Sequence, residues 1–400
     1  MQRILIAIAV LIVAVFVGWR AIGPDWRALL SNAPTDTNVL FWTTEQRDVG
    51  FRMMDALPAL VKSRVIKAGD TPLVVEKGAP LSLESDLDAM MEKQRIAGLV
   101  VLQGGKVRIE RYGLDFGPGR KWTSHSVAKS FTSTMVGAAI KDGFIDSIDD
   151  PVSKYVDGLK GSAYDTVSVK QLMTMTSGVA WNEDYDDPGS DVALFFDTEA
   201  APGESAVVTY MKKLPRAHPA GTVWNYSTGE TNLIGVLISE AVGKPLADYL
   251  GEKVWRPYGM ANDASWLLGT DGGELSGCCM QAATMDYARF GLLVLADGVV
   301  NGEKIVPEGW FEAATQKQVD YGAPGEGYGY QWWTVDDGAF QARGIFGQGI
   351  FIDPALDLVI AVNSNWTTAL GRDAGERGSR EALYAAIRAA VAAEQKLSMN

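Results

Sequence analysis

Apolar and polar positions divide the chain into a charge-free beginning, a strand-like stretch near residue 100, a helical middle and a strand-rich end. Residues Ile4 to Trp19 carry no charge and a single glycine. That is short for a membrane-spanning helix, which needs about 20 residues, and slightly long for a signal-peptide core. Its place behind Arg3 favours export over a buried soluble helix. The small pair Ala21 and Gly23 is followed by Pro24, a poor cleavage site, so an uncleaved anchor is favoured over a cleaved signal. Arg20 and Arg27 on the far side leave orientation open. In either case the body is expected at the periplasmic face of the inner membrane, anchored or released. Residues 1–23 thus read as anchor or signal segment. Residues 24–80 read as a linker and irregular lead-in, broken by the turn signals "GPDW", "SNAPTDTN" and "AGDTP", and residues 81–400 as the folded body.

Leu81 to Gln94 has helical spacing. "IAGLVVLQGGKVRIERYG" then predicts a β-hairpin, with Leu99–Leu102 as an apolar run, Gly104-Gly105 as the turn, and Val107 and Ile109 alternating with charges. Phe131, Met135, Val136, Ala139 and Ile140 recur at helical spacing up to Gly143. From about 150 to 320 the pattern is mostly helical, in "SVKQLMTMTSG", "TNLIGVLISEAVGKPLADYL" and "TMDYARFGLLVLADG". Strands return in "GYGYQWWTV", "GQGIFIDP" and "LDLVIAVNSN", before a helix from Arg380 to Ala393. Strands at both ends of the body around a helical middle predict an α+β fold. One antiparallel sheet is assembled from both ends and flanked by helices, with an inserted, mostly helical region beside it and a cleft between.

Composition narrows the function. A net charge of −13, from 36 basic and 49 acidic residues with no basic stripe, argues against nucleic-acid binding. Twelve tryptophans and thirteen tyrosines suggest an aromatic-lined cleft as well as a core. The two histidines, His125 and His218, and the adjacent pair Cys278 and Cys279 are too few and too badly spaced for a zinc hydrolase. A bond between neighbouring cysteines closes a strained small ring, so two free buried thiols are expected.

The candidate chemistry lies in "TSHSVAKSFTS", residues 123–133, where Ser126 precedes Lys129 by one helical turn and shares its face. A serine oxygen needs a base, and a lysine buried among apolar neighbours loses its proton more easily. The helix N-terminus would also turn N–H groups toward an oxyanion. This is the single S-x-x-K pair in the chain, but it lies in a serine-rich run, so a solvated helix end explains it as well. No G-x-S-x-G elbow occurs. His125, next to Ser126, cannot face it on a helix, and His218 lies in the turn-like "RAHPAGT". Two other segments matter: "WNYSTGETN", a polar turn before a helix, and "QARGIFGQGIFIDP", a glycine-punctuated lead into a strand. In isolation the first reads as an ST-turn cap and the second as a bulged edge strand.

In this order, the three segments resemble the serine β-lactamase and penicillin-binding superfamily, in its class C β-lactamase-like and esterase branch. "VKQLMTMTSGVAWNEDYDDP", "SGCCMQAATMDYARFG" and "ARGIFGQGIFIDP" are more closely similar to the 6-aminohexanoate-dimer hydrolase group, and the likeness runs from about Phe41 to Ile387. The resemblance implies Ser126 as the acylated nucleophile, Lys129 as its base and Tyr226 as the phenol that passes a proton to the leaving group. It implies an oxyanion hole from the N–H groups of Ser126 and Ile345. It also places Tyr185, Thr228, Gly344 and Gln348 at the substrate. Read without it, Tyr185 is a loop anchor and Glu183, Asp184, Asp186 and Asp187 are a solvated face.

Two departures bear on the substrate. Thr228 stands where many relatives carry Asn. Ala342-Arg343-Gly344 stands for Lys-Thr-Gly, and strand alternation points Arg343 to the face opposite the cleft. Both weigh against a true β-lactamase or D,D-peptidase. The expected activity is hydrolysis of small ester or amide substrates through an acyl-enzyme on Ser126, without metal or organic cofactor. The alternatives are a cell-wall D,D-peptidase or β-lactamase, and a catalytically silent membrane-tethered binding module.

Overall fold

A computed structural model describes residues 2–34, 38–56 and 61–399. Thr35–Thr37, inside the "SNAPTDTN" turn signal, lie outside the described residues. The hairpin forms as expected: Ile96–Gln103 and Lys106–Tyr112 pair antiparallel around Gly104 and Gly105, both at positive φ. Ile96–Gln103 then pairs with Leu358–Ser364, joining the two ends of the body; Val101 sits opposite Ile360 and Val100 opposite Ala361. Gln348–Asp353, Phe340–Gly344, Trp333–Val335 and Glu326–Tyr328 continue the ladder, giving a seven-stranded antiparallel sheet. "GYGYQWWTV" thus makes two strands, split where Gln331 takes a left-handed backbone (φ 62°).

Both faces of this sheet are covered, which explains why the central strands read as unbroken apolar runs. Val100 and Leu102 face the large core beneath the helix Thr284–Leu295, while Leu99 and Val101 face Leu383, Ile387 and Val391 of the helix Glu376–Met399. The inserted region packs the helix Ala128–Lys141 against the helix Thr228–Val242. Ser227 caps the second of these, accepting from the Glu230 N–H at 3.1 Å. The architecture is the expected α+β one.

Two features were not expected. A second sheet of four short strands (Ser63–Ile66, Ala264–Leu267, Met280–Ala282 and Trp122–Thr123) bridges the lead-in and the body. The lead-in itself carries the helices Pro24–Ser31 and Thr44–Met53, the latter started by a capping box between Thr43 and Gln46. Arg47 ties that helix down: its guanidinium donates to Asn365 Oδ1 at 2.9 Å and to the Trp366 and Thr367 carbonyls at 3.0 Å. At the N-terminus Gln2–Ala21 is one helix. Its Arg3–Ala21 stretch is long and apolar enough to cross a membrane and is not buried against the body.

Candidate active site

Ser126 lies in a tight turn, His125–Val127, between the short strand Trp122–Thr123 and the helix Ala128–Lys141. His125 holds a left-handed backbone (φ 42°) that aims the next residue outward. Its ring packs edge-on against Phe51 at 4.8 Å, and burial pushes its pKa down to about 3, so it stays neutral and serves as packing. One turn on, Lys129 is 1% exposed. Its ammonium nitrogen donates to Ser126 Oγ at 3.1 Å, Thr228 Oγ1 at 3.0 Å and the Gly277 carbonyl at 2.6 Å. Burial lowers its pKa to about 8, against the opposing pull of the Glu183 carboxylate. A solvated helix end is excluded by that environment.

Tyr226, in the turn before the helix Thr228–Val242, stacks on Trp333 at 5.5 Å, and Lys129 Nζ stands 5.1 Å from its ring centre. Burial and then the Glu183 charge raise its pKa, partly offset by its interaction with Ser126, so the phenol keeps its proton at neutral pH. Gly344 ends its strand opposite Gln348. A Cβ there would come within 2.7 Å of the Ser124 carbonyl and 3.1 Å of the Ser126 nitrogen. Glycine is therefore what lets this strand end abut the nucleophile turn and bring Ile345 beside Ser126.

Glu183 is the residue that sequence reasoning missed. Its Oε2 accepts from the Thr228 N–H at 2.9 Å and from the Trp181 indole. Its Oε1 accepts from the Thr228 hydroxyl and, at 2.9 Å, from Tyr185. A polar chain thus runs from Ser126 through Lys129 and Thr228 to Glu183. The signal was in the alternation of "WNEDYD": Trp181, Glu183 and Tyr185 face inward, while Asn182, Asp184 and Asp186 are exposed. Reading four acids as one solvated face hid the period of two.

Three expectations are corrected. Gln348 does not reach the cleft, because its amide is spent on backbone. It donates to the Ile345, Phe346 and Ser364 carbonyls and accepts from the Ser364 N–H, fastening the Ile345–Gly347 turn. Arg343 does not point away from the cleft but lines it, with its guanidinium 5.1 Å from the Trp333 ring centre and ion-paired to Glu326 at 2.9 Å. Its contacts with Trp333 and Glu326, on the neighbouring edge strands, hold it at the cavity rim. Cys278 and Cys279 are bonded to each other rather than free. A left-handed backbone at Cys279 (φ 70°) places the neighbouring side chains together.

Two cavities meet at Ser126 and Ile345. One, of about 330 Å³, is lined largely by apolar groups such as Leu40, Trp42, Val192, Phe196 and Leu275, with the Cys278–Cys279 pair in its wall. The other, of about 510 Å³, has the aromatic walls Trp224, Tyr226, Tyr321 and Trp333 and an arginine rim. Tyr185 borders both, Thr228 the first, and Tyr226 and Gly344 the second.

The chain and its fold have known counterparts. The chain is 29% identical over 331 residues to 6-aminohexanoate-dimer hydrolase of Paenarthrobacter ureafaciens, covering 79% of this chain and 84% of that protein. A solved structure of a Bacillus anthracis protein assigned as a 6-aminohexanoate-dimer hydrolase superposes with a TM-score of 0.76 at 22% identity, over 90% of this chain and 99% of that one. A class C β-lactamase superposes with a TM-score of 0.56 at 17% identity, over 76% of this chain and 93% of that one. The Beta-lactamase family pattern matches residues 83–384, from before the hairpin into the last helix, and the chain belongs to that family.

Proposed function

We propose that this protein is a serine hydrolase that cleaves small esters or amides through an acyl-enzyme on Ser126. The observation that carries the reading is the buried Lys129 amine at 3.1 Å from Ser126 Oγ, with a pKa brought down to about 8. Neutral Lys129 takes the Ser126 proton as Oγ attacks the carbonyl carbon. The N–H groups of Ser126 and Ile345 hold the oxyanion, each such donor lowering the barrier by ~3 kcal/mol. The protonated Tyr226 phenol gives its proton to the departing oxygen or nitrogen and recovers one from the Lys129 ammonium. Water then attacks the acyl carbon, its proton passing to the same pair, and Ser126 Oγ leaves as the hydroxyl. Tyr185 and Thr228 border the substrate, and Glu183 sets the charge around Lys129. The Gln2–Ala21 helix would hold this body at the outer face of the inner membrane, as an anchor or before cleavage. A D,D-peptidase or β-lactamase reading is weaker, because Ala342 and Arg343 replace the first two residues of Lys-Thr-Gly.

The test is turnover of p-nitrophenyl acetate, p-nitrophenyl butyrate and nitrocefin by the full chain in detergent, beside Ser126→Ala. Ester turnover lost in the variant, with nitrocefin spared, is the expected result. Nitrocefin cleavage of comparable efficiency would put the lactamase reading first. Equal rates in both proteins, or none in either, with no fluorophosphonate label on Ser126, would leave the silent binding module.

A further inference from the structure

The adjacent cysteines take no part in the chemistry proposed above, yet they lie between two contacts that hold it in place. On one side the Gly277 carbonyl accepts from Lys129 Nζ at 2.6 Å. On the other, Met280 pairs with Ser124, two residues before the nucleophile. The Met280 N–H donates to Ser124 Oγ at 3.1 Å, and the Met280 carbonyl accepts from the Ser124 N–H at 2.7 Å. Gln281 continues that pairing opposite Thr123. The segment Gly277–Met280 therefore bridges the base to the serine turn, and the Cys278–Cys279 bond closes across its middle.

A bond between neighbours cannot tie distant segments together; what it fixes is the backbone it encloses. Cys279 holds a φ of 70°, a left-handed conformation that a residue with a Cβ rarely adopts unless its surroundings impose it. Both cysteine carbonyls are committed there: Cys278 accepts from the Trp266 indole at 2.8 Å and Cys279 from the Leu267 N–H at 3.1 Å. Gly277 has little slack, since a Cβ on it would lie 2.7 Å from the Thr228 carbonyl and from the Asn232 amide. A change of course at Cys279 thus shifts the Gly277 carbonyl, the Met280 pairing or both. The bond is also within reach. Both cysteines line the apolar cavity that opens at Ser126, and Cys279 is half-buried.

We propose that Cys278 and Cys279 are positioning residues for Lys129 and Ser126, and that a dithiol turns the enzyme down by reducing their bond. A thiolate of the dithiol attacks one cysteine sulfur and the S–S bond breaks. The second thiol of the reagent then displaces the mixed disulfide. Two electrons and two protons pass to the cysteines, which become thiols, and the reagent leaves as a disulfide. Cys279, freed of the ring, returns to ordinary backbone angles, and the contacts to Lys129 and Ser124 loosen. A small disulfide reverses the exchange. The inference rests on the hydrolase reading of Ser126 and Lys129.

The test takes the full chain in detergent, reduces it with dithiothreitol and removes the reagent by gel filtration without oxygen. Alkylation and intact mass should count no thiols before and two after. The kcat/KM for p-nitrophenyl acetate and butyrate should fall about tenfold or more, as displaced catalytic groups do. Fluorophosphonate labelling of Ser126 should slow with it, and oxidised glutathione should restore both. The double variant Cys278→Ala, Cys279→Ala should start at the low rate and ignore dithiothreitol. Cys278→Ala, Cys279→Gly should recover most of the activity with no sulfur present, because glycine takes a positive φ freely. Thermal unfolding confirms that both variants are folded. Full turnover by a chain carrying two free thiols would overturn the proposal, as would a bond that dithiothreitol cannot open. A loss confined to butyrate would make the pair a cavity wall alone, and a folded glycine variant as slow as the alanine one would remove the backbone argument. If the oxidised parent shows neither turnover nor labelling, the hydrolase reading falls and takes this inference with it.

Discussion

The two cavities that meet at Ser126 are built by different parts of the chain and from different chemistry. The apolar one is assembled from the lead-in (Leu40, Trp42 and Met54), the helical insert (Val192, Phe196) and the small sheet (Leu267). The arginine-rimmed one is made by the aromatic edge of the large sheet, the turn of the insert that carries Trp224 and Tyr226, and the segment after the last C-terminal strand, carrying Trp366, Arg372 and Arg377. Ser126 sits on the seam and Lys129 in the deeply buried helix behind it, whereas the surfaces that would choose a substrate come from edges and loops. On the proposed mechanism one Ser126–Lys129–Tyr226 centre serves whichever pair of walls the chain places around it, and a change in either wall should alter selectivity before it alters chemistry.

The largest effect should come from the seam itself. Replacing Lys129 with Met removes the proposed base of both steps, and kcat/KM should fall by roughly 10³–10⁴ for every ester, whatever its acyl or leaving group. A loss restricted to one substrate class would place Lys129 on one side of the cleft instead. Tyr226→Phe comes next and breaks the symmetry between the cavities. Loss should be about 10²-fold for alkyl esters and amides, whose leaving groups need a proton, and much smaller for p-nitrophenyl esters, whose leaving group departs unaided. Equal losses on both would take the leaving-group proton away from Tyr226. Steady-state kinetics with matched acyl groups measures each.

The hairpin and the Ser126–Lys129 contact were legible in the sequence because their signals are local, whereas Tyr226 was named only through the resemblance. Val107 and Ile109 alternate, Gly104-Gly105 turns the chain, and Ser126 and Lys129 lie one helical turn apart. The walls were much less legible because they are made by distant segments. The strand Ser63–Ile66 has no pattern of its own and exists through pairing with Ala264–Leu267, some 200 positions away. Arg343 was sent to the wrong face because alternation says which residues share a face and not where the cleft lies, and the groups that hold it, Trp333 and Glu326, belong to other strands. Gln348 sat at the right distance from Ile345 along the chain, but three carbonyls compete for its amide, and a sequence does not display them. The aromatic-lined cleft was foreseen from composition, and Tyr185 and Tyr226 were named through the resemblance, but Trp224, Tyr321 and Trp333 were not.

At the junction of strand and nucleophile turn, Gly344→Ala should act on both cavities through their shared wall. The added methyl meets the Ser124 carbonyl at 2.7 Å, and backbone cannot swing aside as a flexible side chain can. The expected cost is about 1–3 kcal/mol of stability by chemical denaturation, as for other overpacked sites. Turnover should drop as Ile345 moves off Ser126. A variant as stable and active as the parent would mean that the strand end slides freely, and Ile345 would lose its place in the oxyanion hole.

The smallest effect is the most diagnostic of how the seam is tuned. Glu183 opposes the downward pull of burial on Lys129, so its charge holds the amine's pKa up at about 8. On the proposed mechanism activity requires neutral Lys129 and should rise with pH through that value. In Glu183→Gln the opposing charge is gone, the amine releases its proton more readily, and the rising limb of kcat/KM should move to lower pH, with several-fold higher relative activity below pH 7. The isosteric amide can still accept from Thr228 or Tyr185, so the chain of contacts need not collapse, and thermal unfolding would register it if it did. A limb that moves to higher pH would reverse the sign of the Glu183–Lys129 interaction. A limb that stays put while kcat falls would make Glu183 a holder of Tyr185 and Thr228, acting through position and not through charge.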